Sequence, residues 1–252
     1  MRLDAAFTRS ELRDRNVNDG IIVVTDVLRA TTVMITALAH GAKAIIPQDD
    51  DAAARALYAD LNHQGVPALL CGEKEGFKRP GYDLGNSPLE YTLEAVRGKT
   101  LVHQTTNGTR ALAASAPARR ILIASFCNRS AVAQRLLEIA PTAEAKVLLV
   151  ASGTEEKYSM EDTVCLGAIL ASMTRFSSRP IERTDAAQAA LDLFQYYQND
   201  LLGMIRRSVH GRYLQQIGLG DDLPACGALD TETGVPEMRL GRVALISSGS
   251  PV

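Results

Sequence analysis

The sequence predicts an α/β protein with a largely parallel sheet covered by helices on both faces. Three observations predict it. Short β-branched runs alternate with Ala/Leu-rich stretches of helical length along most of the chain. The run Ile21-Ile22-Val23-Val24 is apolar throughout rather than alternating, the pattern of a strand buried on both faces. Glycines stand where helical stretches should stop, as at Gly41 and Gly65.

In order, residues 21–24 read as a strand, 31–40 as a helix, 44–47 as a strand, 51–64 as a helix and 68–71 as a third strand. Residues 72–88 hold four glycines and two prolines and read as a long loop of the kind that carries function. A short helix over 89–96 follows, then strand 100–103, helix 108–115, strand 120–124, helix 128–139, strand 146–150 and helix 161–173. Residues 185–208 read as one long helix, 211–217 as a helical turn and 242–246 as a final strand-like run. One α/β domain over 1–252 is expected. A weak likeness between the segments that open at Val24 and at Gln104 leaves two related βαβ-type halves, with a boundary near 140, as the alternative.

Composition narrows the function. Lys plus Arg is 27 and Asp plus Glu 29, a net charge of −2, which argues against a protein that grips nucleic acid or an anionic membrane. No stretch approaches the roughly 20 apolar residues of a membrane span, and the first ten residues lack a signal-peptide core, so a cytoplasmic protein is expected. Cys71, Cys127, Cys165 and Cys226 form no CxxC pair, and the four histidines form no HExxH, so zinc and iron–sulfur chemistry are not expected. An anionic substrate must then be held by local groups.

Those groups collect after the strands. In an open parallel sheet the carboxyl ends of the strands share one edge, where ligands bind. The first strand is followed by Asp26, Arg29, Thr31 and Thr32, and the third by Glu73. The fourth is followed by Thr105, Thr106, Asn107, Gly108 and Thr109, the fifth by Ser125 and Asn128, and the sixth by Ser152 to Glu156. Arg29 suits a bidentate clamp on an anion. Hydroxyls at helix starts either accept an anion or cap the helix. Asp26, at the end of an apolar strand, needs a cation or several donors, and Asp26 with Glu73 is a suitable pair for Mg2+. Asp83, Asn86 and Ser87 offer oxygens from the shaped loop, and His210 and Arg212 follow the long helix. No Walker, Rossmann or nucleophile-elbow motif occurs. From the residues alone, the chain is an α/β enzyme for a small anionic substrate, metal-assisted.

The segments Asp26-Val27-Leu28-Arg29-Ala30-Thr31-Thr32, Cys71-Gly72-Glu73, the loop ending Asp83-Leu84-Gly85-Asn86-Ser87-Pro88, and Thr105-Thr106-Asn107-Gly108-Thr109 carry a resemblance. So do Ser125-Phe126-x-Asn128, Glu161-Asp162 with Cys165, and His210-Gly211-Arg212 with Cys226 and Asp230. Together they resemble the 2-phosphosulfolactate phosphatase family. The resemblance implies a three-layer α/β/α fold with a largely parallel mixed sheet. It also implies Mg2+-dependent hydrolysis of 2-phospho-3-sulfolactate to 3-sulfolactate and phosphate, a step toward coenzyme M in methanogens. His103 and Gln104 depart from the family's pattern. Mapped onto this chain, Asp26 and Glu73 are expected to hold the metal. Arg29 and residues 105–109 should hold the phosphoryl group, and Asn86, Ser87, Asn128, His210 and Arg212 should read the substrate's other anionic groups. Asp83 is the reserve candidate for general base or second metal ligand. Alternatives are another 2-phospho-hydroxy acid as substrate, or a non-catalytic binder of phospho-acids. A homo-oligomer through Tyr196, Tyr197 and Leu201 is a further expectation.

Overall fold

A computed structural model describes residues 1–13, 15–105, 108–142 and 144–245. The strands are β1 (Arg2–Ala6), β2 (Ile21–Thr25), β3 (Ala44–Gln48), β4 (Ala68–Lys74), β5 (Phe77–Lys78), β6 (Thr100–Gln104), β7 (Arg120–Ala124), β8 (Lys146–Ala151), β9 (Glu182–Arg183), β10 (Pro236–Arg239) and β11 (Arg242–Leu245). The helices are α1 (Ala30–Ala39), α2 (Asp51–His63), α3 (Leu93–Val96), α4 (Gly108–Ala114), α5 (Arg129–Ile139), α6 (Met160–Phe176), α7 (Asp185–Tyr197), α8 (Leu201–Arg207), α9 (Val209–Gln216) and α10 (Asp222–Gly227).

Among the described residues the strands form one sheet in the order β5-β4-β6-β3-β11-β10-β7-β2-β8-β1-β9. β2 lies between β7 and β8, parallel to both, so its four apolar residues are buried on two faces. Each such side chain contributes about 1.5–3 kcal/mol of burial. Alternation sorts them. Ile21 and Val23 join the core shared with α5, α6 and α7, while Ile22 and Val24 join the core under α1 and α4. Beyond β3, the face opposite α1 packs Ile46, Leu70 and Val102 on Ala54 and Leu61 of α2. Helices thus cover both faces, and the three-layer α/β/α architecture is observed.

The sheet is parallel apart from β5 and the β10–β11 hairpin. That hairpin joins two parallel groups, β4-β6-β3 and β7-β2-β8-β1. It touches them only near their amino ends, through Val243 with Ile45 and through Glu237 and Met238 with Leu122 and Ile121. The carboxyl ends of the two groups therefore face each other without a strand between them. One hydrophobic core, with Ile45 and Leu101 from one group and Ile22 and Ile123 from the other, packs around α1 and α4 and binds the groups together.

β1, β9 and β10 are strands that the sequence does not predict, and three further stretches differ from the sequence reading. The expected helix over 185–208 is two helices, because Asp200 accepts the Gly203 amide at 3.0 Å and starts α8 afresh. The expected loop over 72–88 begins as a hairpin, with Glu73 opposite Lys78. Residues 222–227, to which the sequence reading assigns no element, form α10. Tyr196 is exposed and meets Tyr197 edge-on, but Leu201 is buried in the chain's own core, so the three do not form one outward face. No helix among the described residues is long and apolar enough to cross a membrane.

Candidate active site

A cavity of about 400 Å³ opens at the carboxyl edge of the strands. Four strand ends supply it: Asp26 and Arg29 after β2, Glu73, Glu75 and Gly76 at the end of β4, Thr105 after β6, and Thr154 with Glu155 after β8. Asn86 reaches it from the loop after β5, and His210 and Tyr213 from α9. A slightly larger cavity, about 450 Å³, lies at the opposite edge beside Arg2, Gly20 and Lys146. There the one carboxylate, Asp4, is already paired with Arg15 at 2.5 Å, and the strands present amino ends. The chemistry belongs to the carboxyl-edge cavity.

Asp26 is buried where β2 ends. Its Oδ1 accepts the Ala30 amide at the start of α1, 3.2 Å away. Burial pushes its pKa up to about 7; the Ala30 N–H opposes the rise, Glu73 and Glu161 add to it, and Arg29 opposes it. Glu73 is buried nearby, its Oε2 accepting the Gly76 amide at 2.8 Å. The bend that delivers it needs a glycine. Gly72 has φ +144°, and a Cβ there would fall 2.0 Å from the Gln104 carbonyl oxygen.

Arg29, also buried, is fixed at both terminal nitrogens. Nη1 donates to Asp222 Oδ2 at 2.7 Å and Nη2 to the Gly76 carbonyl at 2.5 Å. Ser87 does not point at the cavity. Its hydroxyl donates to the other oxygen of Asp222. Asn86 does line the cavity, and its buried Oδ1 has no hydrogen-bond partner among the described residues. Burial lowers the His210 pKa, with Glu161 and Glu73 opposing and Arg29 reinforcing the shift, so its imidazole is neutral at pH 7.

Several expected site residues are spent on the backbone instead. The Thr31 hydroxyl lies 2.9 Å from both the amide nitrogen and the carbonyl oxygen of Asp26 and shapes that turn. Thr32 donates to the Val27 carbonyl at 2.9 Å and meets the Ser125 hydroxyl at 2.7 Å. Asn128 accepts the Ser125 amide and donates to the carbonyls of Ile123 and Gly234. Thr109 donates to the Thr105 carbonyl within its own helix start. Asp83 is exposed, and its carboxylate accepts the Leu70 amide at 2.8 Å, pinning the loop to β4 rather than facing the cavity. Arg212 is exposed and donates to the Arg207 carbonyl. Gly108 does not line the cavity but starts α4 close against Ala30 and Asp26, which do. Thr106 and Asn107 lie outside the described residues.

Glu161 and Asp162 do more than favour a helix start. Asp162 accepts the amides of Val27 (2.7 Å) and Gly153 (3.2 Å), tying the β2–α1 loop to the β8–α6 loop. Burial, with Asp26 and Glu161 adding, raises its pKa well above the carboxylate range. His103 is buried away from the cavity, its ring edge-on to Tyr91 at 6.3 Å, and burial pushes its pKa down to about 4. The lining also holds Glu75, Thr154 and Glu155, which stand directly after strands and which the strand-end rule collects without giving them a role. Tyr213 in the lining and Asp222 behind it are the residues the sequence reading passed over. No local signal marks Asp222.

A largely parallel α/β fold with carboxylates, an amide and a guanidinium gathered at the strand carboxyl edge has the architecture of an α/β enzyme. The chain matches the sequence model of the family described as "2-phosphosulpholactate phosphatase" over residues 6–241, and it belongs to that family of phosphoric monoester hydrolases. It is 40% identical to a protein named "Probable 2-phosphosulfolactate phosphatase" from Symbiobacterium thermophilum, over 90% of this chain and 94% of the relative. A protein of the same name from Carboxydothermus hydrogenoformans is 37% identical over 98% of both chains. A third, from Caldanaerobacter subterraneus subsp. tengcongensis, is 36% identical over 96% and 98%.

Proposed function

We propose that this chain is a Mg2+-dependent phosphatase that hydrolyses 2-phospho-3-sulfolactate to 3-sulfolactate and phosphate. The observation that carries the reading is the placement of Asp26 and Glu73 beside Arg29 in one cavity. A buried Asp26 whose charge Glu73 further disfavours calls for a cation, and both carboxylates are hard oxygen donors. Among the described residues no group of three or more His, Cys, Asp or Glu side chains is set to hold an ion. Mg2+ fits such a site, because one or two carboxylates suffice alongside waters and phosphate oxygens. Asp26 and Glu73 would hold it, and when bound it would neutralise charge on the phosphoryl group as the P–O bond to the lactate oxygen breaks and water takes its place.

The chain's own groups orient and select. Arg29 retains guanidinium protons beyond the two it gives to the protein and presents them to an anion. Asn86, with one buried amide oxygen still to be satisfied, binds a donor or cation at the cavity wall. His210, kept neutral, binds as a hydrogen-bonding group rather than as a charge.

Arg29 is the one Lys or Arg among the described lining residues, since Arg212 turns away. This favours a second reading, in which the substrate is a 2-phospho-hydroxy acid without the sulfonate. Phosphate release from a panel with and without the sulfonate, in Mg2+ and in chelator, tests both. The proposal expects release to require Mg2+ and to be fastest with 2-phospho-3-sulfolactate. Asp26→Asn and Glu73→Gln should each lower kcat/KM by about 100-fold or more, equal to about 2.7 kcal/mol of transition-state stabilisation. Full Mg2+-dependent activity in both variants would refute the assignment.

A further inference from the structure

The residue that fixes Arg29 comes from the far end of the chain. Asp222 opens α10, is buried, and lies 193 positions from Arg29 in sequence. Its two oxygens do different things. Oδ2 accepts from Arg29 Nη1 at 2.7 Å, and Oδ1 accepts from the Ser87 hydroxyl. The second guanidinium nitrogen is held by the Gly76 carbonyl, at the turn between β4 and β5. One guanidinium plane is therefore set by three separate segments, and Asp222 does not itself line the cavity.

An arginine stem samples many rotamers, so its rigid bidentate fork must be held in one of them to meet an anion in a fixed direction. A carboxylate that takes one edge of the fork leaves the remaining protons pointing in a fixed direction. Ser87 sets the carboxylate in turn, so the loop after β5 and helix α10 share the task. We propose that Asp222 is a positioning residue for anion binding, aligning Arg29 toward the cavity with Ser87 fixing its orientation. The proposal rests on the reading of Arg29 as an anion-binding group and extends it to a side chain with no contact to the substrate.

A double-mutant cycle separates positioning from plain structural support. Inorganic phosphate binding by titration calorimetry and kcat/KM for 2-phospho-3-sulfolactate are measured for wild type, Asp222→Ala, Asp222→Asn, Arg29→Ala and the Arg29→Ala/Asp222→Ala pair. If Asp222 acts through Arg29, Asp222→Ala weakens both by about tenfold or more in the wild-type background and by no more than about twofold once Arg29 is gone. Asp222→Asn keeps an acceptor oxygen for Nη1 and should recover most of the loss. Equal losses in the two backgrounds, or phosphate binding unchanged in Asp222→Ala, overturn the proposal. If Asp222→Ala does not fold, Ser87→Ala replaces it, with a smaller loss that must again vanish in the Arg29→Ala background. Wild type that binds phosphate but does not turn over the substrate would reject the substrate assignment, and the phosphate cycle would still decide the role of Asp222.

Discussion

Gly108 offers a test of the site by a single methyl group. A Cβ at this position would lie 2.6 Å from the Ala30 Cβ and 3.0 Å from Asp26 Oδ2. Carbon atoms in contact rest about 3.5–4.0 Å apart, so Gly108→Ala must separate the starts of α1 and α4 by about 1 Å. Neither methyl has a torsion by which to turn aside. The start of α1 is held by the Ala30 amide on Asp26, so the shift falls on Asp26 or on the loop leading into α4. Replacing a helical glycine by alanine gains about 0.5–1 kcal/mol, and overpacking costs about 1–3, leaving a net loss of roughly 0–2.5 kcal/mol. A displacement of about 1 Å at catalytic groups costs on the order of 100-fold in rate.

The expected result is therefore a variant that is folded and modestly destabilised but nearly inactive. Urea denaturation gives the first quantity and kcat/KM for phosphate release the second. Ala30→Gly in the same molecule removes the opposing methyl and should restore a large part of the activity, at about 0.5–1 kcal/mol of further helix cost. Activity within about threefold of wild type in Gly108→Ala would refute the reasoning, as would a double variant no better than the single one.

Gly167→Ala makes the opposite prediction. Its Cβ would fall 1.9 Å from the Ala190 carbonyl oxygen and 2.7 Å from the Phe194 Cβ, where α6 and α7 cross. This should cost about 3 kcal/mol or more in denaturant unfolding and leave kcat of the folded fraction unchanged. His103 supplies a pH dependence. Its pKa is about 4 in the fold against an ordinary 6.5, so below pH 6.5 the unfolded chain takes up the proton first. Its contribution is fully present above pH 6.5 and is lost as pH falls toward 4, by about 3 kcal/mol in total. His103→Leu should flatten the stability profile by one proton equivalent in that window, and an unchanged slope would show that the ring is not buried neutral.

Much of the fold was legible because buried parallel strands are written as β-branched runs, which few other structures require. β1 was not legible, because Arg2-Leu3-Asp4-Ala5-Ala6 has no β-branched residue and earns its place by pairing with β8 and β9. β10 was missed for a like reason. Its Pro-Glu-Met-Arg alternates but is four residues long with no β-branched residue, and its buried Glu237 is paired with Arg120 at 2.5 Å and with Arg239 at 3.1 Å. The break before α8 carried a readable cap signal in Asp200, hidden by the helical pattern on both sides.

In the site, the division between legible and hidden follows the cost of burial. A hydroxyl or an amide is buried cheaply when a backbone partner is near, and strand-end turns are rich in such partners. Thr31, Thr32 and Asn128 found them within a few residues and the Ser125 hydroxyl meets that of Thr32, so position after a strand did not distinguish a ligand from a cap. A carboxylate or guanidinium has no cheap local solution. Asp26 and Glu73 each accept one nearby amide, which leaves most of a buried carboxylate's demand unmet, Arg29 takes a carboxylate from another element, and these three line the cavity. Asp83 and Arg212 are charged but exposed, and exposure removes the constraint. The partner that completes Arg29, Asp222, satisfies the same rule and was invisible only because it depends on a contact between distant parts of the chain. Charge near the end of an apolar strand is therefore the stronger sequence signal of a site in this fold, and its reach ends where the compensating charge is supplied by another element.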